Sequence, residues 1–565
     1  MARTAFHAPL PGSSNPALSP AGPYRGLKQF GLVMLCAVWI VLGLVGHDPW
    51  KTEDATSFGI AYEMMQGSDL LTPNLAGEPF VDRPPLVYAL GAATGKLAAE
   101  FLSPPDAARL AAGLLLGLTL IFLALAGTEL FGRNFRWVPM LVFIGCVGLW
   151  DRAHQLSPEL GLLAGMSAAQ YGFALALRRP VWGGVALGAG AAVAFLSRGY
   201  LGPLWLVITA AVLPLAFVAW RTRRYAATAA VALLVALPLC AAWPMALANS
   251  SPADLGAWWS AQSWTDYFGP LSSKASADPV VLLKNLLWFA WPALPLAAWT
   301  LWTRGRGFNG GLATPAIELP GTLAVVILVS IAVMADPKVN YLMPILLPLA
   351  LLGALEIDTL KRGFSGALDW FGILTFGLGA ALAWYLWFDA LARGLAMPVA
   401  RLLRDTESGY QPTWHWLAIV VSALLTFLWL ALVRPARRSN RRAVLNWAAG
   451  MTLLWALYST IWLPYLDSRR SYRTVAQAMA LHLPAQGCVA SRNLGEPQRA
   501  LFRYFAGLVT VREETTPKHG CATVLVQYGR VDRAPAAPEG WRIAWEGQRR
   551  GDDTERFVLY ARNAS

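Results

Sequence analysis

DPWKTEDATSFGIAYEMMQGSDLLTPNLAGEPFVDRPPLVY, residues 48–88, follows the first strongly apolar run and decides how the chain is read. It is too polar to cross a bilayer and too rich in aromatic and aliphatic side chains to be a solvated linker. Phe58, Ile60, Ala61, Met64 and Met65 recur at helical spacing over 57–65, and Gly67 ends that helix. A second short amphipathic helix is expected over 86–101, just after Pro84 and Pro85. Two helices lying in the membrane interface would floor a cavity open to lipid and to solvent. Carboxylates stand at the start of one, at Glu53 and Asp54, and just before the other, at Asp82.

The surroundings make the membrane certain. The 565 residues are 56% hydrophobic and 14% charged, with a mean hydropathy of +0.45, outside the ordinary soluble range. A span needs about 20 apolar residues, and about thirteen such runs occur, near 28–46, 107–128, 135–149, 156–177, 181–196, 201–220, 225–246, 279–302, 316–334, 341–356, 369–391, 412–433 and 444–464. The expected organisation is a disordered cytoplasmic N-terminus (1–26), a transmembrane domain (27–465) whose first outer loop covers 47–106, and a small periplasmic α/β domain (466–565).

The net charge of +13 does not point to nucleic acid, because the basic residues recur as small clusters between apolar runs. With the N-terminus cytoplasmic, every even-numbered connection carries arginine or lysine and hardly an acid, from Arg133 and Arg136 through Arg178 and Arg179 to Arg441 and Arg442. One orientation fits throughout. The C-terminal domain then lies on the outer side, with helices expected near 471–483 and 496–506 and strands near 488–492, 509–512, 522–528, 541–545 and 556–561. Its two cysteines, Cys488 and Cys521, favour a disulfide in an oxidising periplasm over two separate thiols. Cys36, Cys146 and Cys240 read as small buried hydrophobes.

This topology gathers ionisable residues that are far apart in sequence. Glu53, Asp54, Asp82 and Arg83 share the outer face with Asp151, His154 and Glu159 around the start of the fourth span, Arg198 after the fifth and Lys338 before the tenth. Ionisable groups in or at the ends of spans are functional candidates by default. Each also has a plain structural reading: a solvated turn for Asp151, an ion pair with an arginine for Glu159, and interfacial snorkelling as the alternative to phosphate recognition for Arg198.

On these residues the chain resembles the bacterial lipid A aminoarabinose transferases and the wider protein O-mannosyltransferase-like group of GT-C glycosyltransferases. The stretch GIAYEMMQGSDLLTPNLAGEPFVDRPPLVY carries most of the likeness. The resemblance implies a GT-C fold and transfer of a sugar from a polyprenyl-phosphate donor to a lipid, glycan or protein acceptor. It implies a catalytic acid at Glu53 or Asp54, where the family's Asp-Glu order is reversed. It also implies a cavity acid at Glu159, donor-phosphate contacts at Arg83, Arg198 and Lys338, and cavity-lining Tyr88 and Tyr341. In some relatives the acid at the Asp82 position is associated with a divalent metal ion. Two departures stand out: Thr56 replaces an arginine, and a His-Glu-His-like stretch reads Ala261-Gln262-Ser263. The rival readings are a transporter, against which the absence of internal repeats and interrupted span pairs speaks, and a non-catalytic envelope scaffold.

Overall fold

A computed structural model describes residues 25–261, 279–334, 338–393, 413–434, 439–529, 537–550, 552 and 554–563. The expectation for the extreme N-terminus, and Gln262 and Ser263, lie outside the described residues.

Helix forms in every one of the thirteen apolar runs, but not always as one piece. Among the described residues six helices are long and apolar enough to cross a membrane: Pro104–Phe131, Pro180–Arg198, Arg223–Ser250, Pro315–Ala332, Arg362–Ala392 and Trp416–Val433. A seventh results if Asn440–Tyr458 and Leu463–Arg470, bent by 63°, count as one span. Runs 135–149 and 341–356 contain only the short helices Val138–Ile144 and Leu346–Leu355, each beside a tight 3-10 turn. Run 279–302 divides into Pro279–Phe289 and Ala293–Gly305 around Pro292, which lacks a backbone donor and clashes with the preceding turn. Hydropathy shows where apolar chain accumulates; proline and packing decide where the helix breaks.

The tightest packing is between Pro158–Ala176 and Pro180–Arg198. A Cβ on Gly165 would lie 2.6 Å from the Gly190 carbonyl oxygen, so these backbones touch through small residues, as membrane helices often do. Four predicted inner connections meet at one end of the bundle. Arg441 bonds Asp358 at 2.5 Å and the Asn134 carbonyl at 2.9 Å, and Arg304 bonds Glu356 at 2.6 Å.

At the opposite end the chain builds an interfacial layer. Glu53–Met65 and Leu86–Leu97 are the two expected short helices. Between them β1 (Asn74–Leu75) and β2 (Glu78–Pro79) pair around Ala76 and Gly77, both at positive φ.

The C-terminal domain has five strands: β3 (Val489–Arg492), β4 (Thr510–Arg512), β5 (Thr523–Gly529), β6 (Trp541–Gly547) and β7 (Glu555–Arg562), in the order β4-β3-β5-β7-β6. The β4-β3-β5 pairs are parallel, and β7 runs antiparallel to both β5 and β6. Helices Arg473–Ala480 and Glu496–Ala506 cover one face, through Val475, Met479, Leu501 and Phe502 on Leu525, Phe557 and Leu559. Cys488 and Cys521 form a disulfide just ahead of the parallel strands β3 and β5.

This domain grips the first loop. Ala55 belongs to its apolar core, and Gly59 lies so close to Ala500 that an added Cβ would sit 2.5 Å from the alanine methyl. Glu63 pairs with Arg503 and Glu78 with Arg499, each at 2.8 Å; Asp48 accepts from Ser471 at 2.6 Å and pairs with Arg473. The loop between two apolar runs is thus a layer between membrane helices and a soluble sheet.

Candidate functional site

Glu53 and Asp54 open the same helix but enter different environments. The Asp54 carboxylate is completely buried. Arg109 approaches it through Nη2 at 2.9 Å and through Nε at 3.2 Å, and the amides of Trp50 and Leu156 donate to it at 3.2 and 2.9 Å. Arg109 also donates to the carbonyls of His47 and Asp48, both at 2.9 Å, and to Asp106 at 3.1 Å. Each charge is compensated and each lone pair directed, as burial of an ion pair demands. Asp54 therefore ties the interfacial helix to the Pro104–Phe131 helix and to residue 156.

Glu53 points the other way. Its side chain is 18% exposed, and Arg83 Nη1 donates to it at 2.6 Å. Burial opposes its ionisation, but the charge and hydrogen bond of Arg83, reinforced by Arg198 and Lys338, hold the carboxyl below the ordinary glutamate value.

Beside this pair stands a second. Arg198 Nε lies 3.2 Å from Glu159 Oε1, its Nη2 donates to the Tyr341 hydroxyl at 2.7 Å, and its guanidinium stands 5.1 Å from the Tyr341 ring centre. Gly199, at φ +81°, ends the helix immediately after Arg198 and turns the chain away. Glu159 sits in the first turn of its helix, where carboxylates are favoured. Tyr88 is buried near Arg83, and its hydroxyl has no hydrogen-bond partner among the described residues. Burial pushes that hydroxyl's pKa up, keeping it a neutral donor. Lys338 is exposed at the mouth.

The structure thus brings together Glu53, Arg83, Tyr88, Glu159, Arg198, Tyr341 and Lys338: three cations against two carboxylates. It places Asp54 elsewhere. Asp151 pairs with Arg470 at 3.4 Å, and His154 is held by the Trp39 and Trp150 carbonyls and stacked on Trp455.

Asp82 lies on the exposed turn before Leu86–Leu97. Among the described residues no group of three or more His, Cys, Asp or Glu side chains is placed to hold a metal ion. A divalent ion needs several such ligands, and Glu53, the acid nearest in role, is already engaged by Arg83. The donor set does not fit a metal, and no step is derived through one.

Two participants escaped the sequence reading. Arg109, a lone arginine within an apolar run, carried the signal of an intramembrane charge. Glu496, in the first turn of its helix in the soluble domain, carried none. Burial and then the charges of Asp82 and Glu53 push its carboxyl up, against the opposing charge of Arg83.

The helical bundle, the loop carrying the acid–arginine pair and the sheet domain packed over it make up a fold of the GT-C type. In sequence the chain is similar to bacterial aminoarabinose transferases, and in fold to a solved structure of one of them. It is 24% identical over 446 residues to the undecaprenyl phosphate-alpha-4-amino-4-deoxy-L-arabinose arabinosyl transferase of Pseudomonas aeruginosa (strain UCBPP-PA14), covering 76% of this chain and 74% of that one. It is 26% identical over 460 residues to the protein of the same name from Pectobacterium carotovorum subsp. carotovorum (strain PC1), covering 76% and 75%. The crystal structure of ArnT from Cupriavidus metallidurans bound to undecaprenyl phosphate superposes with a TM-score of 0.68 at 17% identity, over 95% of this chain and 98% of that one. No protein-family model matches the chain.

Proposed function

We propose that this protein is an inner-membrane glycosyltransferase that moves a sugar from a polyprenyl-phosphate carrier to a lipid A, glycan or protein acceptor at a periplasmic site. In this reading the N-terminus is cytoplasmic, residues 27–465 form the membrane domain and 466–565 the periplasmic domain. The observation that carries it is the juxtaposition of the Glu53–Arg83 and Glu159–Arg198 pairs at the end of the bundle gripped by the soluble domain. Cations there suit a lipid-linked phosphate, and a carboxylate suits an acceptor hydroxyl.

The acceptor oxygen attacks the anomeric carbon as the bond from that carbon to the phosphate oxygen breaks. The phosphate leaves with the bonding electrons, and Arg83, Arg198 and Lys338 balance its charge. Tyr88 and Tyr341 offer hydroxyls along the same cavity. In the resting state Arg83 makes Glu53 a weak base. A donor phosphate competes for Arg83 and adds a negative charge beside Glu53, and both effects raise the affinity of Glu53 for the acceptor proton. The base is thereby activated only when the donor is bound. Asp54 serves as an anchor rather than as the catalytic acid.

The test is transfer by purified protein from undecaprenyl-phosphate aminoarabinose to lipid A, with mass spectrometry of lipid A, envelope glycans and envelope proteins from cells with and without the gene. One sugar mass missing without the gene, and no transfer by Glu53→Gln, are expected. Wild-type transfer by Glu53→Gln would overturn the assignment of Glu53, and labelled substrate crossing vesicles with no new glycosidic bond would favour a transporter.

A further inference from the structure

Among the described residues, helices cover one face of the C-terminal sheet. On the other face Ala490, Val524, Val526, Val558 and Tyr560 form a small apolar cluster, and beside it opens a cleft of about 310 Å³, within the range of small-ligand sites. It is lined by the loop from Glu513 to Cys521 and by residues of β3, β5, β6 and β7, among them the aromatic Trp541 and Tyr560 and the cationic Arg492, Lys518 and Arg562.

Glu513, an acid in this lining, is already neutralised. Arg492 donates to it at 2.5 Å and His519 Nε2 at 3.0 Å. His519 Nδ1 accepts the Cys521 amide at 3.0 Å, so the proton of a neutral ring is on Nε2, facing Glu513. Lys518 is exposed, and the Arg562 guanidinium lies 5.4 Å from the ring centre of Trp541, both in the cleft lining. The Cys488–Cys521 disulfide ties the loop's end to the sheet. The result is a braced concave site with surplus positive charge and an aromatic wall.

We propose that this cleft binds an anionic saccharide, a sugar ring carrying a phosphate, with the ring against Trp541 and the phosphate on Lys518 and the neighbouring guanidiniums. It is separate from the Glu53–Arg83 cluster and does not depend on the transfer reading. The ligand chemistry has two sources, a soluble sugar phosphate and the phosphorylated headgroup of a glycolipid.

The test uses the full chain in nanodiscs and equilibrium dialysis of labelled glucosamine 1-phosphate. Lys518→Glu, at an exposed position that leaves the core untouched, and Trp541→Ala should each weaken binding by about tenfold or more, while Arg198→Ala leaves the binding that these variants remove. Inorganic phosphate and uncharged N-acetylglucosamine should compete only weakly. Binding unchanged by both cleft variants, or abolished by Arg198→Ala alone, would overturn the proposal. Competition by inorganic phosphate as strong as by the sugar phosphate would overturn its saccharide half. Displacement by lipid A in the same nanodiscs assigns the glycolipid as the source, and failure of that displacement assigns a soluble sugar phosphate; the cleft stands as the site in both.

Discussion

The carboxylates of Glu53 and Asp54 belong to consecutive residues of one helix, yet Glu53 lies in the cluster with Arg83 at 2.6 Å while Asp54 is sealed against Arg109 at 2.9 Å. Successive residues on an α-helix are about 100° apart, so the two side chains leave the helix in different directions and meet different guanidiniums. The two should fail differently when changed.

Glu53→Gln should reduce kcat by about a hundredfold or more, the scale of a lost general base, with little change in melting temperature. Asp54→Asn should instead destabilise the protein by about 3–5 kcal/mol, because it removes the fully buried partner of the Arg109 guanidinium and leaves only Asp106, at 3.1 Å, to balance it. Replacing both, as Asp54→Asn with Arg109→Met, should recover part of that loss. Thermal melts in detergent alongside transfer rates separate the two acids.

Arg198→Lys keeps the charge but cannot reach Glu159 and Tyr341 together through a planar fork. The KM for the polyprenyl-phosphate donor should rise about tenfold. Tyr341→Phe should give a smaller rise in the same constant. Initial rates at varied donor concentration decide it.

Tyr88→Phe removes a buried hydroxyl that has no hydrogen-bond partner among the described residues. Stability should hold or increase by up to about 1 kcal/mol. Transfer should fall if the hydroxyl meets substrate, and the pairing of an unchanged melt with a lowered kcat is the expected signature.

The pH dependence follows from Glu53. Burial would raise its pKa, but Arg83, with Arg198 and Lys338, depresses it below the ordinary 4.5. A depressed carboxyl stabilises the fold above its unfolded value, and that contribution is lost as pH falls through the lower folded value. The acid limb of kcat/KM for the donor should therefore lie below pH 4.5. Arg83→Gln leaves burial dominant and should move that limb upward.

The C-terminal domain should prove necessary for the first loop. Gly59→Leu must displace Ala500, since even a methyl carbon at Gly59 would approach it to 2.5 Å. Protease sensitivity of the loop should rise and transfer should fall. Reducing Cys488–Cys521, which closes a loop of separation 33, should cost the domain about 3–4 kcal/mol, measured as a lower melting temperature in dithiothreitol.

Much of this was legible in residues 48–88 and their flanks. Apolar run length located thirteen helical segments, alternation and turn residues placed all five strands of the C-terminal domain, and basic connections pointed to one end of the bundle. These properties are local: they need only the chain's own period and hydropathy. The breaks were less visible, because a run such as 279–302 is apolar throughout while Pro292 interrupts its helix.

Sequence alone determined that this is a helical membrane bundle followed by a C-terminal α/β domain, and it put Glu53, Arg83, Glu159, Arg198 and Lys338 at one end of that bundle. Tertiary structure decided which of two adjacent acids pairs with Arg83, that Arg109 holds the other, and that Ala55 and Gly59 are packed by a domain more than 400 residues further along the chain. The reason is range. Hydropathy and periodicity act over a few turns, whereas the direction of a single carboxylate depends on which distant guanidinium compensates its burial.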